Sequence, residues 1–144
     1  MRLPTAEDDL VTFLPPETAP LLVHEMLRPE NRQRTVEQDL VSRTTRLIDH
    51  ADNGARRLLP DGIEFESVDH DTYTIVEGDP LSAHVRCERR LEIGRGAWRV
   101  RIETRSEMHA DAVDFHLTNT LIAYEGETAV FTRTWVKSIP RDGQ

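Results

Sequence analysis

Strict alternation of apolar and polar residues in the second half of the chain constrains the fold more than any other feature. Across residues 81–93 the odd-numbered positions are apolar except for Arg89, and the even-numbered positions are polar. A second run starts at Trp98, where Val100, Ile102 and Met108 alternate with arginine and glutamate. Because successive side chains of a strand point to opposite faces, both runs predict strands with one apolar face.

Shorter runs of the same kind surround these two strands. Residues 113–124 and 129–137 extend the pattern into an up-and-down meander, with turns predicted at residues 94–97 and 125–127. Upstream, a strand is predicted over residues 34–49, and Asp52-Asn53-Gly54 predicts a hairpin turn because these residues accept positive φ. A returning strand is predicted from Arg56. Pro60-Asp61-Gly62 predicts a further turn, and short strands are predicted over residues 63–67 and 72–76, separated by a polar segment at residues 69–71.

Strands throughout with scarcely a helix indicate an all-β domain. An antiparallel sheet with one apolar face needs a second layer, so the expected architecture is an antiparallel β-sandwich, or else a partly closed barrel. The N-terminal part differs because five of the eight prolines lie within its first thirty residues. We therefore expect residues 1–33 to form an extended, proline-rich lead-in and residues 34–144 to form the sandwich domain. Residues 21–27 could form one or two helical turns, ended by Pro29.

Composition excludes several classes of function. The 144-residue chain has 38% hydrophobic and 31% charged residues, which is typical of a folded domain without a membrane span. Its net charge of −8 disfavours nucleic-acid binding, which depends on lysine and arginine. The N-terminus lacks the features of a signal peptide, and the single cysteine, Cys87, suits a reducing compartment, so a cytoplasmic location is expected. Cys87 itself is interpreted as a small buried hydrophobic residue.

Several short motifs occur along the chain in an order that is itself informative. They are LPPE at residues 14–17, YTI at 73–75 followed by GDPLSA at 78–83, GAWRVRIET at 96–104, AYEG at 123–126, VFTRTW at 130–135 and IPRD at 139–142. Together, over roughly residues 13–142, they resemble the C-terminal domain of the X-Pro dipeptidyl-peptidase and cocaine esterase group of serine hydrolases, called CocE/NonD. The resemblance implies a jelly-roll-like β-sandwich that packs against a catalytic α/β-hydrolase domain carrying the Ser-Asp-His triad.

The chain itself carries no complete catalytic constellation. A nucleophile elbow needs small residues two positions on either side of the serine, and none of the five serines has them. Ser82 and His84 form the most tempting pair, but they lack an assigned orienting acid, and Asp79-Pro80 is better interpreted as a turn that starts a strand. No catalytic residue is therefore predicted.

A metal site is considered for one loop and the strand beside it. His109, Asp111, Asp114 and His116 crowd this region, but polar turn residues explain them without a metal, and His24, His50 and His70 are isolated. No metal or cofactor is predicted. Trp98 and Trp135 are expected to be buried in the core, although a ligand-stacking role is the alternative.

Two functions of different classes follow. The first is a non-catalytic accessory domain that packs against a catalytic α/β-hydrolase subunit or associates with itself, with residues 14–29 at the interface of a dimer or larger homo-oligomer. The second is a stand-alone β-barrel that holds a small apolar ligand, or an isomerase-like enzyme, with Trp98 and Trp135 lining its interior. No nucleic-acid or membrane partner is expected. A cavity smaller than about 300 Å³ would count against the second function.

Overall fold

The computed structural model describes residues 14–142, and from His24 to Pro140 the chain forms antiparallel β-strands joined by short connections. The eight strands of this region are β1 (His24–Arg28), β2 (Asn31–Asp39), β3 (Thr44–Leu58), β4 (Glu64–Val76), β5 (Asp79–Arg95), β6 (Trp98–Ala110), β7 (Asp114–Glu125) and β8 (Thr128–Pro140). Helices are absent from the described region, so it contains none that could span a bilayer. The prediction of an all-β antiparallel fold is confirmed.

All eight strands belong to one sheet. Its order is β1-β3-β4-β5-β6-β7-β8, and β2 pairs with β3 beside β1. β1 pairs with the second half of β3 and β2 with the first half, so these two short strands share one edge position. β8 forms the opposite edge, and β5 is therefore the central strand of seven positions.

The sheet is a single open layer across the described residues. Strands contact only the neighbours with which they pair, and no hydrophobic side chain in this region is fully buried. This layer corresponds to one sheet of the predicted sandwich. Its connections are those of an up-and-down meander, whereas a jelly roll would need connections that cross between two sheets. Tight turns cause this difference, because they pair each strand from β3 onward with the next strand in the sequence.

The sheet begins earlier than the sequence predicted. β1 and the start of β2 fall within the expected lead-in, so ladder pairing starts at His24 rather than near residue 34. The helical turns considered for residues 21–27 do not form, because residues 24–28 pair with β3. The first thirteen residues of the lead-in lie outside the described region.

The first hairpin turn lies elsewhere than predicted. β2 turns into β3 at residues 40–43, where the Asp39 carboxylate accepts hydrogen bonds from the N–H groups of Val41 (2.9 Å) and Ser42 (3.2 Å). Asp52-Asn53-Gly54, predicted as that turn, instead forms a bulge inside β3, with Gly54 at φ 74°. The predicted strand over residues 34–49 is therefore interrupted, and the strand predicted to return from Arg56 is a continuation of β3.

The remaining turns agree better with the alternation. The turns at Pro60-Asp61, Gly96-Ala97 and Gly126-Glu127 are confirmed. The two short strands predicted over residues 63–67 and 72–76 are one continuous strand, β4, which contains the polar segment at residues 69–71. The long strands β5 and β6 follow the predicted period of two.

Candidate interaction surface

The register of the ladder sorts side chains onto two chemically different faces. Residues directly opposite each other on neighbouring strands lie on the same face, so a row can be followed from β3 to β8. The face that carries the alternating apolar positions is called the apolar face here. Its large apolar side chains include Leu47, Phe65, Tyr73, Ile75, Val85, Leu91, Ile93, Trp98, Val100, Ile102, Met108, Phe115, Leu117, Leu121, Phe131, Trp135 and Ile139.

A band of polar residues crosses the middle of the apolar face. Two neighbouring rows of the ladder supply it, and it is called the polar belt. The belt consists of Asp49, Asp69, Asp71, Cys87, Arg89, Thr104, Ser106 and Asn119. It divides the apolar face into two apolar patches, one toward each end of the long strands.

An ion pair between β4 and β5 is the strongest electrostatic feature of the polar belt. The Arg89 guanidinium donates to both carboxylate oxygens of Asp71, with Nη2 at 2.9 Å from Oδ2, and its Nε lies 3.3 Å from Oδ1 of Asp69. The hydrogen bonds from Arg89 hold the pKa of the Asp71 carboxyl below its usual value, and Asp71 in turn raises the pKa of Arg89. Both groups are therefore charged at neutral pH.

Cys87 lies at the centre of the belt, next to this ion pair. Partial burial raises the pKa of its thiol, and its hydrogen bond with Asp71 raises it further. Burial likewise raises the pKa of Tyr73, two positions along β4 from Asp71. The Cys87 side chain is only partly buried, so the interpretation of this residue as a buried hydrophobic residue is wrong for the single sheet.

The apolar patches are uncovered. Phe65 is 40% exposed, Tyr73 43% and Ile102 41%, although each lies within the body of a strand. A concavity of about 340 Å³ occupies one patch, and its lining includes Leu47, Tyr73, Val85, Met108 and Phe115. Monomeric proteins seldom expose contiguous apolar area of this extent.

The opposite face is called the charged face. Its arginine and glutamate side chains form a grid of cross-strand pairs, including Arg57 with Glu64 (2.7 Å) and Arg86 with Glu107 (3.1 Å). The hydrogen bond from Arg57 holds the pKa of Glu64 below its usual value. Charges on this face thus neutralise one another, which is the pattern of a solvated surface.

A second concavity lies on the charged face and has a volume of about 620 Å³. Its lining includes His70, Glu88, Arg105, Thr118 and Thr120. Trp98 and Trp135 line neither concavity. They are 49% and 40% exposed, so the prediction that they are buried in a core is wrong: the single layer supplies no second sheet to cover them.

Ser82, the serine of the candidate pair with His84, has a structural role in the β4–β5 hairpin. Its hydroxyl donates to the carbonyl oxygen of Asp79 (2.6 Å) and accepts from the N–H of Val76 (2.8 Å). The carboxylate of Asp79 accepts from the N–H of Leu81 (3.2 Å), as expected of a turn that starts a strand. The single hydroxyl proton is thus already donated within the turn, so nothing in this geometry activates Ser82.

The candidate metal residues lie close together, but Asp111 uses its carboxylate to cap the turn before β7. Asp111 accepts hydrogen bonds from the N–H groups of Val113 and Asp114, both at 2.7 Å, and its other oxygen lies 2.8 Å from Nε2 of His116. These contacts, with that to Asp114 the largest cause, hold the pKa of Asp111 far below its usual value. His109 stacks on His116 at 5.0 Å between ring centroids. Within residues 14–142, no group of three or more His, Cys, Asp or Glu side chains is arranged to hold a metal ion.

The ion pair of the polar belt was missed by sequence reasoning, although a signal for it existed. Arg89 was the only exception in the alternation of β5, and residues 69–71 were the polar interruption of the β4 region. Arg89 and the two acids Asp69 and Asp71 each interrupt an apolar pattern, and opposite charges can pair across neighbouring strands. Only the register, however, shows that these residues are neighbours.

Comparisons of the chain with protein-family models, curated protein sequences and solved structures give no match. The resemblance to the C-terminal domain of CocE/NonD hydrolases therefore depends only on the motifs quoted above. The geometry defines only a structural class: an open antiparallel sheet with one face of mutually paired charges and one uncovered apolar face.

Proposed function

We propose that this chain is a non-catalytic accessory domain that acts by packing its apolar face against a protein surface. The observation that supports the proposal is that apolar face, which has no covering layer among the described residues. The resemblance to CocE/NonD hydrolases suggests two kinds of partner, a catalytic α/β-hydrolase subunit or another copy of the chain. The net charge of −8 also favours a protein over a nucleic acid, and a cytoplasmic location belongs to the same proposal.

An esterase assay tests the non-catalytic part of this proposal. The purified chain, with short acyl esters and X-Pro substrates, should show no turnover above the buffer rate. Ser82→Ala is the matched variant. Ser82 belongs to the most tempting catalytic pair, but its hydroxyl forms both of its hydrogen bonds within the β4–β5 turn. Parent and variant should give the same rate. Turnover by the parent that disappears in Ser82→Ala would show that the chain is an enzyme.

The small-ligand alternative is less well supported. Both concavities are large enough for a ligand, at about 620 and 340 Å³. However, edge strands β1 and β8 are not paired with each other in the described sheet, so no barrel interior exists there. The larger concavity combines charged and hydroxyl side chains with apolar surface that includes Val68 and Ile122, and it is a depression on one face of an open sheet rather than an enclosed interior.

A further inference from the structure

The proposed function leaves open which partner covers the apolar face, and the arrangement of the polar belt narrows the choice. We propose that the occupant is a second copy of this chain, packed face to face about a two-fold axis that runs along β5. This inference depends on the proposed function, because it assumes that the apolar face is the docking surface. Its result is a two-layered sandwich built from two chains.

The area of the face suffices for a stable dimer. Seven strand positions with about twelve residues each span about 1,100 Å² per face, given the usual spacings within a sheet. A standard specific interface buries about 800 Å² per partner.

The position of the axis follows from the order of the strands. β5 is the fourth of seven positions, so a two-fold axis along it superimposes the two sheets completely. This operation places β4 over the partner's β6, and β3 over the partner's β7. A rotation about this axis leaves each row of the ladder at the same height along the strands. The polar belt of one copy therefore meets the belt of the other, and each apolar patch meets the same patch of the other copy.

Within the belt, this axis pairs carboxylates with neutral donors. Asp71 faces Ser106 of the partner subunit, in the row that contains Cys87. In the same row, Asp49 faces Asn119 of the partner subunit. In the next row, Asp69 faces Thr104 of the partner subunit. Hydroxyl and amide groups can donate to carboxylates, so the belt can be satisfied once it is removed from water.

Arginine side chains remain compatible with the same axis. Arg89 lies near the axis and faces its own counterpart, but Asp69 and Asp71 of its own chain neutralise its charge. At the edge, Arg34 faces Trp135 of the partner subunit, a pairing suited to a cation–π contact. Arg32 faces Arg133 of the partner subunit, but at the solvent-screened outer rim of the interface.

Other arrangements of the belt are less favourable. A two-fold axis along the belt would place each strand over its own copy, and therefore Asp49 and Asp71 over the same carboxylates. Although each carboxylate has an arginine partner in its own chain, like charges placed opposite each other in an interface repel, whereas the axis along β5 gives each of them a neutral donor. The described lead-in residues 14–23 are exposed and are too few to cover seven strands.

Cross-linking through Cys87 tests the inference. Cys87 is the only cysteine, it lies on the central strand, and the proposed axis brings the two copies of it together across a gap of about 10 Å. Treatment with a short bismaleimide at micromolar concentration should yield a covalent species of twice 16.5 kDa on a denaturing gel. The matched control is Glu88→Cys with Cys87→Ser, because residue 88 occupies the same strand but the charged face. The control should remain a single chain on the gel.

Light scattering on the untreated parent completes the test. A dimeric mass together with cross-linking only through Cys87 supports the proposed packing. A monomer at all concentrations would overturn the proposed dimer, as would a dimer that cross-links through the control cysteine. In either case, an inactive chain in the esterase assay leaves the accessory role standing with a different partner. Serine-dependent turnover, in contrast, overturns that role whatever the assembly state.

Discussion

At the scale of single residues, the polar belt depends on one arginine. Arg89 breaks the apolar alternation of β5, and its guanidinium is held between Asp69 and Asp71 of the neighbouring strand. Without these two carboxylates, a cation would stand unpaired on an otherwise apolar face. In the proposed dimer, this ion pair adds little net charge to the belt, and the polar groups of the belt fix the position of the second copy.

The first prediction at this scale concerns Asp71→Asn. Because the pKa of Asp71 lies below its ordinary value of 3.8, the ionised carboxylate stabilises the fold at neutral pH. This contribution is complete above about pH 5 and is lost as the pH falls below 3.8 through the depressed pKa. For the single chain, at concentrations too low for association, the variant should lose about 0.5–1 kcal/mol of unfolding free energy at pH 7, a small amount because Arg89 is partly exposed and solvent screens the pair. The loss should shrink toward pH 2.

Urea denaturation at several pH values measures the effect. Parent and variant are compared at each pH, since other carboxyls with lowered pKa values, such as Asp39 and Asp111, also destabilise the parent in acid. Asp49→Asn serves as the control, because its partner Arg34 is 68% exposed. A loss in Asp71→Asn that stays constant down to pH 2 would contradict this account.

At the scale of elements, the bulge in β3 shows what sequence patterns can and cannot specify. Asp52-Asn53-Gly54 has the residues of a hairpin turn, and the same positive φ suits a bulge. The choice is made by distant residues: β1 and β2 pair with the two halves of β3 and keep it extended on both sides of Gly54. A local pattern contains no information about these partners.

The difference between local patterns and distant strand partners also explains which of the other sequence predictions agree with the structure. The alternation in β5 and β6 is a local property, so the strands, their tight turns and the apolar face could be predicted. β4 could not be predicted as one strand, because residues 69–71 look like a loop until Arg89 of the next strand is placed opposite them. The prediction that Trp98 and Trp135 are buried was wrong because it assumed a second layer, which the alternation of apolar and polar residues does not specify.

A glycine substitution tests the bulge. A Cβ at residue 54 would lie 2.5 Å from the carbonyl oxygen of Arg28, and the backbone there has φ 74°. Gly54→Ala must therefore adopt an unfavourable φ and also displace β1, at a cost of about 2–4 kcal/mol. Gly78→Ala is the matched control, because Gly78 has φ 78° but nothing within 4 Å of the added carbon. It should cost only about 1 kcal/mol.

Thermal and urea unfolding of both variants measure the difference. If the two substitutions cost the same, the close approach of β1 to the bulge does not stabilise the fold, and the position of β1 beside β3 would be in doubt.

At the scale of the whole molecule, the open sheet lacks what most domains of this length possess. A chain of this size ordinarily buries most of its apolar side chains between two layers. Here the described residues supply one layer, which leaves its apolar face uncovered. In the proposed dimer a second copy covers that face, and the charged face stays in contact with water. Folding and association are therefore expected to be coupled, with stability rising as the chain concentration rises.

The gap at Pro29 between β1 and β2 has a consequence for unwanted polymerisation. Head-to-tail growth into fibrils would join β8 of one molecule to the β1/β2 edge of the next, a contact that never closes. Pro29 has no backbone N–H and splits that receiving edge into two short segments. Pro29→Val should therefore speed the appearance of thioflavin-binding fibrils, whereas Pro20→Val, outside the strands, should leave the lag time unchanged. If both variants form fibrils with the same lag time as the parent, Pro29 does not hinder strand addition at the β1/β2 edge.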